Sequence, residues 1–181
     1  MTPGGEASGS LRLHGTLVEV LGVGALLRGP SGIGKSETAL ELIRRGHRLV
    51  ADDVVELRAE QGVLVGAAPP LIRHHVEIRG LGILYVPDLF RPDAVRDACP
   101  VSVLCRLEPW RADAEYERVG FERPAQELLG VRLPALLLPV RPAGNMATLV
   151  EVAVRDHRLR EAGVVAAARL DERVREETRR P

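Results

Sequence analysis

The segment Gly29-Pro30-Ser31-Gly32-Ile33-Gly34-Lys35-Ser36 limits this chain to very few folds. An apolar run, Val23 to Arg28, leads straight into it, and Ala39, Leu42 and Ile43 recur behind it at helical spacing. Glycines in such a loop let successive backbone N–H groups point at one anion, and the helix that follows adds its positive end. On this reading Gly29, Pro30, Ser31, Gly32, Ile33, Gly34, Lys35 and Ser36 cradle the phosphates of a ligand. Lys35 bridges the terminal phosphates and the Ser36 hydroxyl binds Mg²⁺. The expected fold class is α/β: a single P-loop domain with a mixed β-sheet and C-terminal helices.

Arginine usage marks the same place. Lysine and arginine together number 25, and Lys35 is the one lysine. A flexible stem ending in a compact ammonium follows a phosphoryl group where a planar guanidinium fork does not fit.

The acidic residues also number 25, so net charge is zero and gives no global attraction to nucleic acid or an anionic membrane. No run approaches the roughly 20 apolar residues of a membrane span. Met1 to Ser10 reads as a flexible Gly/Ser/Pro leader without a signal-peptide pattern, and residues 11–181 as one domain. The expectation is a cytoplasmic protein with Cys99 and Cys105 reduced.

Strands are expected over 11–20 and 23–28, joined by a turn at Leu21-Gly22. A helix should run from about Lys35 to Arg45, stopped by Gly46. The short strand Leu49-Val50-Ala51 then ends in Asp52-Asp53. A helix of about ten residues rises ~15 Å, and a strand of four or five returns about the same distance. The two carboxylates should therefore meet the phosphate loop, one facing the metal shell and the other a nucleophile as general base. Further along, an antiparallel pair is expected over 54–58 and 62–66, and an alternating strand over 76–79 interrupted by Gly80-Leu81-Gly82. A short helix (92–98), a strand (101–107), an apolar segment (133–140) and two helices split at Gly163 complete the reading.

His14-Gly15, the loop continuing Glu37-Thr38-Ala39-Leu40-Glu41-Leu42, and Arg45-Gly46-His47-Arg48-Leu49-Val50-Ala51-Asp52-Asp53 resemble the catalytic domain of HPr kinase/phosphorylase. Glu77-Ile78-Arg79-Gly80-Leu81-Gly82-Ile83, Tyr116-Glu117-Arg118-Val119-Gly120 and Pro139-Val140-Arg141-Pro142 extend the resemblance over roughly residues 11 to 175. It implies a phosphoenolpyruvate-carboxykinase-like fold and ATP-dependent phosphorylation of a serine on HPr, the small phosphocarrier of the sugar phosphotransferase system. It also implies the reverse reaction with inorganic phosphate. Asp53 is then the base that takes the serine proton, Lys35 holds the transferred phosphoryl group, and Ser36 and Glu77 hold magnesium. His14 and Arg118 complete the catalytic set. The partner is an HPr-like phosphocarrier, and relatives assemble as hexamers through this core.

Relatives commonly read Pro-Val-Arg-Pro-Gly-Arg-Asn in the loop associated with dephosphorylation. Here Arg141 is present, but Gly144 stands where the second arginine would be. The expectation is that kinase activity survives and the reverse reaction is impaired. Two other readings remain open: a P-loop kinase of a small metabolite, and a non-catalytic ATP-sensing module.

Overall fold

The computed structural model describes residues 9–142 and 144–179. The expected leader falls outside that range except for Gly9 and Ser10. In chain order the first elements are β1 (Ser10–His14), β2 (Thr16–Val20), β3 (Val23–Arg28), α1 (Lys35–Arg44) and β4 (Arg48–Ala51). Next come β5 (Val54–Glu60), β6 (Val63–Ala67), β7 (His75–Ile78), β8 (Gly82–Tyr85) and the one-turn α2 (Val86–Leu89). The chain closes with β9 (Ala98–Pro109), β10 (Ala125–Leu128), β11 (Val131–Val140), α3 (Met146–Glu161) and α4 (Ala166–Thr178).

The main sheet runs β1-β5-β6-β9-β3-β2-β4, with β11 joined to β9 and β10 to β11. The long strand β9 lies parallel to β3 and β11 and antiparallel to β6, so it ties the two halves of the sheet together. The expected strand over 11–20 is two strands, broken at Gly15. A Cβ there would lie 2.8 Å from the Leu27 carbonyl oxygen, so only glycine lets the chain pass that close. The break sends β1 to pair with β5 while β2 pairs with β3 and β4. Leu21-Gly22, Gln61-Gly62 and Leu129-Gly130 close three hairpins with φ positive at both residues, the twist that suits a two-residue connection.

Each face of the sheet carries its own core. On one, Leu27, Leu49, Val103 and Leu107 pack under Leu42 and Ile43 of α1 and Val150 and Val154 of α3. On the other, Leu17, Leu26, Leu57, Leu64 and Leu104 close a second cluster beneath the curled β5-β6 end. Each fully buried leucine or isoleucine contributes about 1.5–3 kcal/mol. The expected helix over 92–98 shortens to a single 3₁₀ turn, Pro92–Ala94. Strand β10 has no counterpart in the sequence reading, because four residues with one buried side chain carry too little alternation to register. No helix among the described residues is long and apolar enough to cross a membrane.

Gly24 pairs with Val101 at a register shift, and a Cβ on it would sit 2.1 Å from the Pro100 carbonyl oxygen and 2.9 Å from Cys99 Sγ. Gly24→Ala is expected to destabilise the fold by about 3 kcal/mol, measured by urea unfolding. Burial pushes both thiols, Cys99 and Cys105, up to about 12. The native protein at pH 8 should therefore leave both unalkylated by iodoacetamide, and urea should expose both.

Candidate active site

The phosphate loop sits between the C-terminal end of β3 and the N-terminus of α1, backed by β9. Gly32 and Gly34 hold φ of 79° and 96°, which turns the loop inward. At Gly29 a Cβ would meet the Leu107 carbonyl oxygen at 2.4 Å. Lys35 is only 6% exposed, and its ammonium donates to the carbonyls of Gly29 and Pro30 at 3.0 Å each. An ammonium carries three N–H donors, so one remains for a phosphate oxygen. Desolvation lowers its pKa from the ordinary lysine value, opposed by Asp52, Asp53 and Glu37.

The paired aspartates return beside the loop, and their environments differ sharply. Asp52 is 4% exposed and accepts hydrogen bonds from Thr16 Oγ1 at 2.7 Å and from Ser36 Oγ at 2.9 and 3.0 Å. Burial raises its pKa, and the two hydroxyls with the backbone N–H groups of Asp53 and Glu77 pull the other way. Asp53 faces out, its side chain 63% exposed, with Oδ1 3.0 Å from His14 Nδ1. Its φ is 66°, and the Val54 N–H donates across it to the Asp52 carbonyl at 2.8 Å. That is a γ-turn of the strained, positive-φ kind. The Asp53 carbonyl accepts from the Gly15 N–H at 3.1 Å, so the break in the first strand is also what fixes the aspartate beside His14.

These side chains line one cavity of about 160 Å³ with Glu77 and Arg79. Pockets for drug-sized ligands run roughly 300–1,000 Å³, so this one suits a phosphate chain rather than a whole nucleotide. Its carboxylates, Glu37, Asp52, Asp53 and Glu77, outnumber its cations, Lys35 and Arg79. A polyphosphate would enter that field only with a metal cation. Ser36, Asp52 and Glu77 offer oxygen donors alone, the set Mg²⁺ prefers. No cluster of three His, Cys, Asp or Glu at metal-binding distance occurs among the described residues.

Arg79 falls in the segment that carries the family resemblance, but the sequence assigns it no role. Its guanidinium lies over the loop, Nη2 donating to Ser31 Oγ at 3.3 Å and Nη1 3.1 Å from where a Cβ on Gly32 would stand. Gly80, next in the chain, turns at φ 89°. Arg79→Gln should raise the KM for nucleotide about tenfold or more in steady-state kinetics, with the far-UV spectrum unchanged.

Arg118 and Arg141 lie elsewhere. Both line a separate cavity of about 950 Å³ between β11, α3 and the 116–124 loop. Glu117 accepts from the Val119 and Gly120 N–H groups at 2.8 and 2.7 Å, and Arg160 donates to the Gly120 and Phe121 carbonyls, which fixes the loop bearing Arg118. The Arg141 guanidinium stacks over Trp110, 5.2 Å from the ring centroid.

The glycine loop and the aspartate pair both lie within a stretch that matches a known family. Residues 6–174 match the model of the HPr Serine kinase C-terminal domain. The chain belongs to that family. An HPr kinase/phosphorylase of Caldicellulosiruptor bescii is 47% identical over 176 residues, covering 97% of this chain and 57% of the relative. One from Geobacillus sp. (strain WCH70) is 52% identical over 163 residues, 90% of this chain and 52% of its own length. The chain thus spans about half the length of the curated relatives it matches. The solved Hpr(Ser) kinase/phosphatase of Coxiella burnetii superposes with a TM-score of 0.77 at 34% identity, covering 84% of this chain and 99% of the other. The fold of this HPr kinase family domain is therefore the expected α/β one.

Proposed function

We propose that this domain transfers a phosphoryl group from ATP to a serine of an HPr-like phosphocarrier. The observation that carries the reading is Asp53, an outward-facing carboxylate held in a strained turn against His14, at the mouth of the cavity that Lys35 and Ser36 line. A sensor of ATP has no need of such a base.

The loop amides and Lys35 would hold the phosphates, and Arg79 would cover them. Ser36, with Glu77 and Asp52, would hold Mg²⁺, which when bound supplies charge neutralisation. With one oxygen on His14, Asp53 keeps the other for the acceptor hydroxyl and takes its proton as the oxygen–phosphorus bond forms. The γ-phosphoryl passes to the serine oxygen and ADP departs. Run backwards, the same carboxyl returns the proton.

The relatives' names include phosphorylase and phosphatase, and for the reverse reaction Gly144 is the departure that matters. With that guanidinium missing, phosphorolysis should run slower than phosphorylation, checked by comparing phosphate release from phospho-HPr with its formation. Incubation with γ-labelled ATP and candidate phosphocarriers separates the three readings. Label on a protein serine supports this one, label on a small molecule supports a metabolite kinase, and binding without turnover supports a sensor.

A further inference from the structure

The catalytic cavity of about 160 Å³ accommodates a phosphate chain and leaves the rest of a nucleotide unhoused. A second cavity, of about 420 Å³, adjoins it, and Gly34 and Glu37 line both. Beyond them its walls are Thr38 and Glu41 of α1 on one side. On the other stand Val140 at the end of β11 and Asn145 and Met146 at the start of α3. Ile33 and Val140 are half-buried against the core and Met146 is buried, so the slot offers apolar surface to a flat, weakly polar group.

The backbone fixes where a phosphate chain leaves the loop. The Thr38 N–H already donates to the Gly34 carbonyl at 2.9 Å, and no side chain caps the helix start. Lys35, Ser36 and Glu37 therefore carry the last open N–H groups of α1. With the terminal phosphate at Lys35, a chain running along those amides ends at Glu37, and whatever follows the phosphates enters the larger cavity. Glu37 itself is exposed, in the first turn of the helix, and its like charge repels the anion the loop is built to hold. An inorganic phosphate chain has nothing to offset that repulsion. A nucleotide does, because its two ribose hydroxyls are donors and a carboxylate accepts both. Glu41, the other carboxylate of this cavity, has both oxygens taken by Arg44 and Arg45.

We propose that the cavity between α1 and the start of α3 receives the nucleoside of the phosphoryl donor, with its ribose hydroxyls on Glu37, so that this carboxylate selects nucleotides over inorganic polyphosphates. The inference rests on the reading that the phosphate loop binds a nucleoside triphosphate. It adds where the nucleoside lies and which residue tells it from a bare phosphate chain.

Calorimetric titration of the full chain with Mg²⁺ and no acceptor tests this without any turnover. The probes are the β,γ-methylene analogue of ATP, its 2′,3′-dideoxy form and tripolyphosphate. Glu37→Gln, an exposed change that folding tolerates, should weaken the analogue about tenfold. Tripolyphosphate and the dideoxy form offer Glu37 no donor, so each should bind the variant at least as tightly as it binds the native protein. Val140→Ser, in the slot and outside the loop, should weaken both nucleotide forms and leave tripolyphosphate unchanged. Failure of the native protein to bind the analogue would overturn the nucleotide reading, and this inference with it. Native binding that Glu37→Gln leaves unchanged, or weakens equally for all three probes, overturns the inference alone, as does a Val140→Ser protein whose nucleotide affinity is unaltered.

Discussion

Asp53→Asn should lower the rate of phosphoryl transfer by roughly 10²–10⁴-fold, the share a positioned general base supplies. Nucleotide affinity should hardly change. Asparagine is nearly isosteric and tolerates the left-handed backbone that Asp53 adopts at φ 66°, so the γ-turn and the fold should persist. What is lost is the carboxylate that takes the proton. Asp53→Ala is a poorer probe, because alanine at that φ adds strain to the chemical defect. Single-turnover kinetics with saturating nucleotide measures the chemical step directly. His14→Ala should reproduce part of the loss, since the imidazole at 3.0 Å positions Asp53 and need not touch the acceptor.

Lys35→Arg should fail almost as badly as Lys35→Ala, each losing about 10²–10³-fold or more in turnover. The charge is kept in the first and still does not serve. The Lys35 ammonium is buried and donates to two loop carbonyls at 3.0 Å, a fit made for a compact group at the end of a slim stem. A planar guanidinium in that ring of backbone must either displace Gly29, which is already jammed against Leu107, or swing out of the cavity. Both substitutions should weaken nucleotide binding, unlike Asp53→Asn. Fluorescent nucleotide titration distinguishes the two failures.

The phosphate loop was legible in the sequence because its chemistry is local: glycine spacing, one lysine and a flanking strand and helix suffice. The placement of Asp52 and Asp53 was also legible, since the length of α1 and β4 brings the chain back to the same edge. Their division of labour followed only in outline from strand alternation. The γ-turn at Asp53 is joined to the first strand break by the hydrogen bond that the Asp53 carbonyl accepts from Gly15, nearly forty residues earlier, and no local pattern announces it. Thr16, which holds the buried Asp52, was hidden for the same reason. Arg79 received no role because alternation over 76–79 gives a face without saying that the face meets the loop. Arg118 and Arg141, which the resemblance assigns to the catalytic set and to the loop associated with dephosphorylation, both line the cavity beside α3.

The central claim is that this cavity hands a phosphoryl group to a protein hydroxyl under the control of Asp53. Mass spectrometry of a phosphocarrier incubated with the domain, ATP and Mg²⁺ tests it most directly. The account predicts one phosphate, on a serine, formed by the native protein and by neither Asp53→Asn nor Lys35→Arg over the same interval. Phosphate on another residue type, or equal labelling by Asp53→Asn, would contradict it.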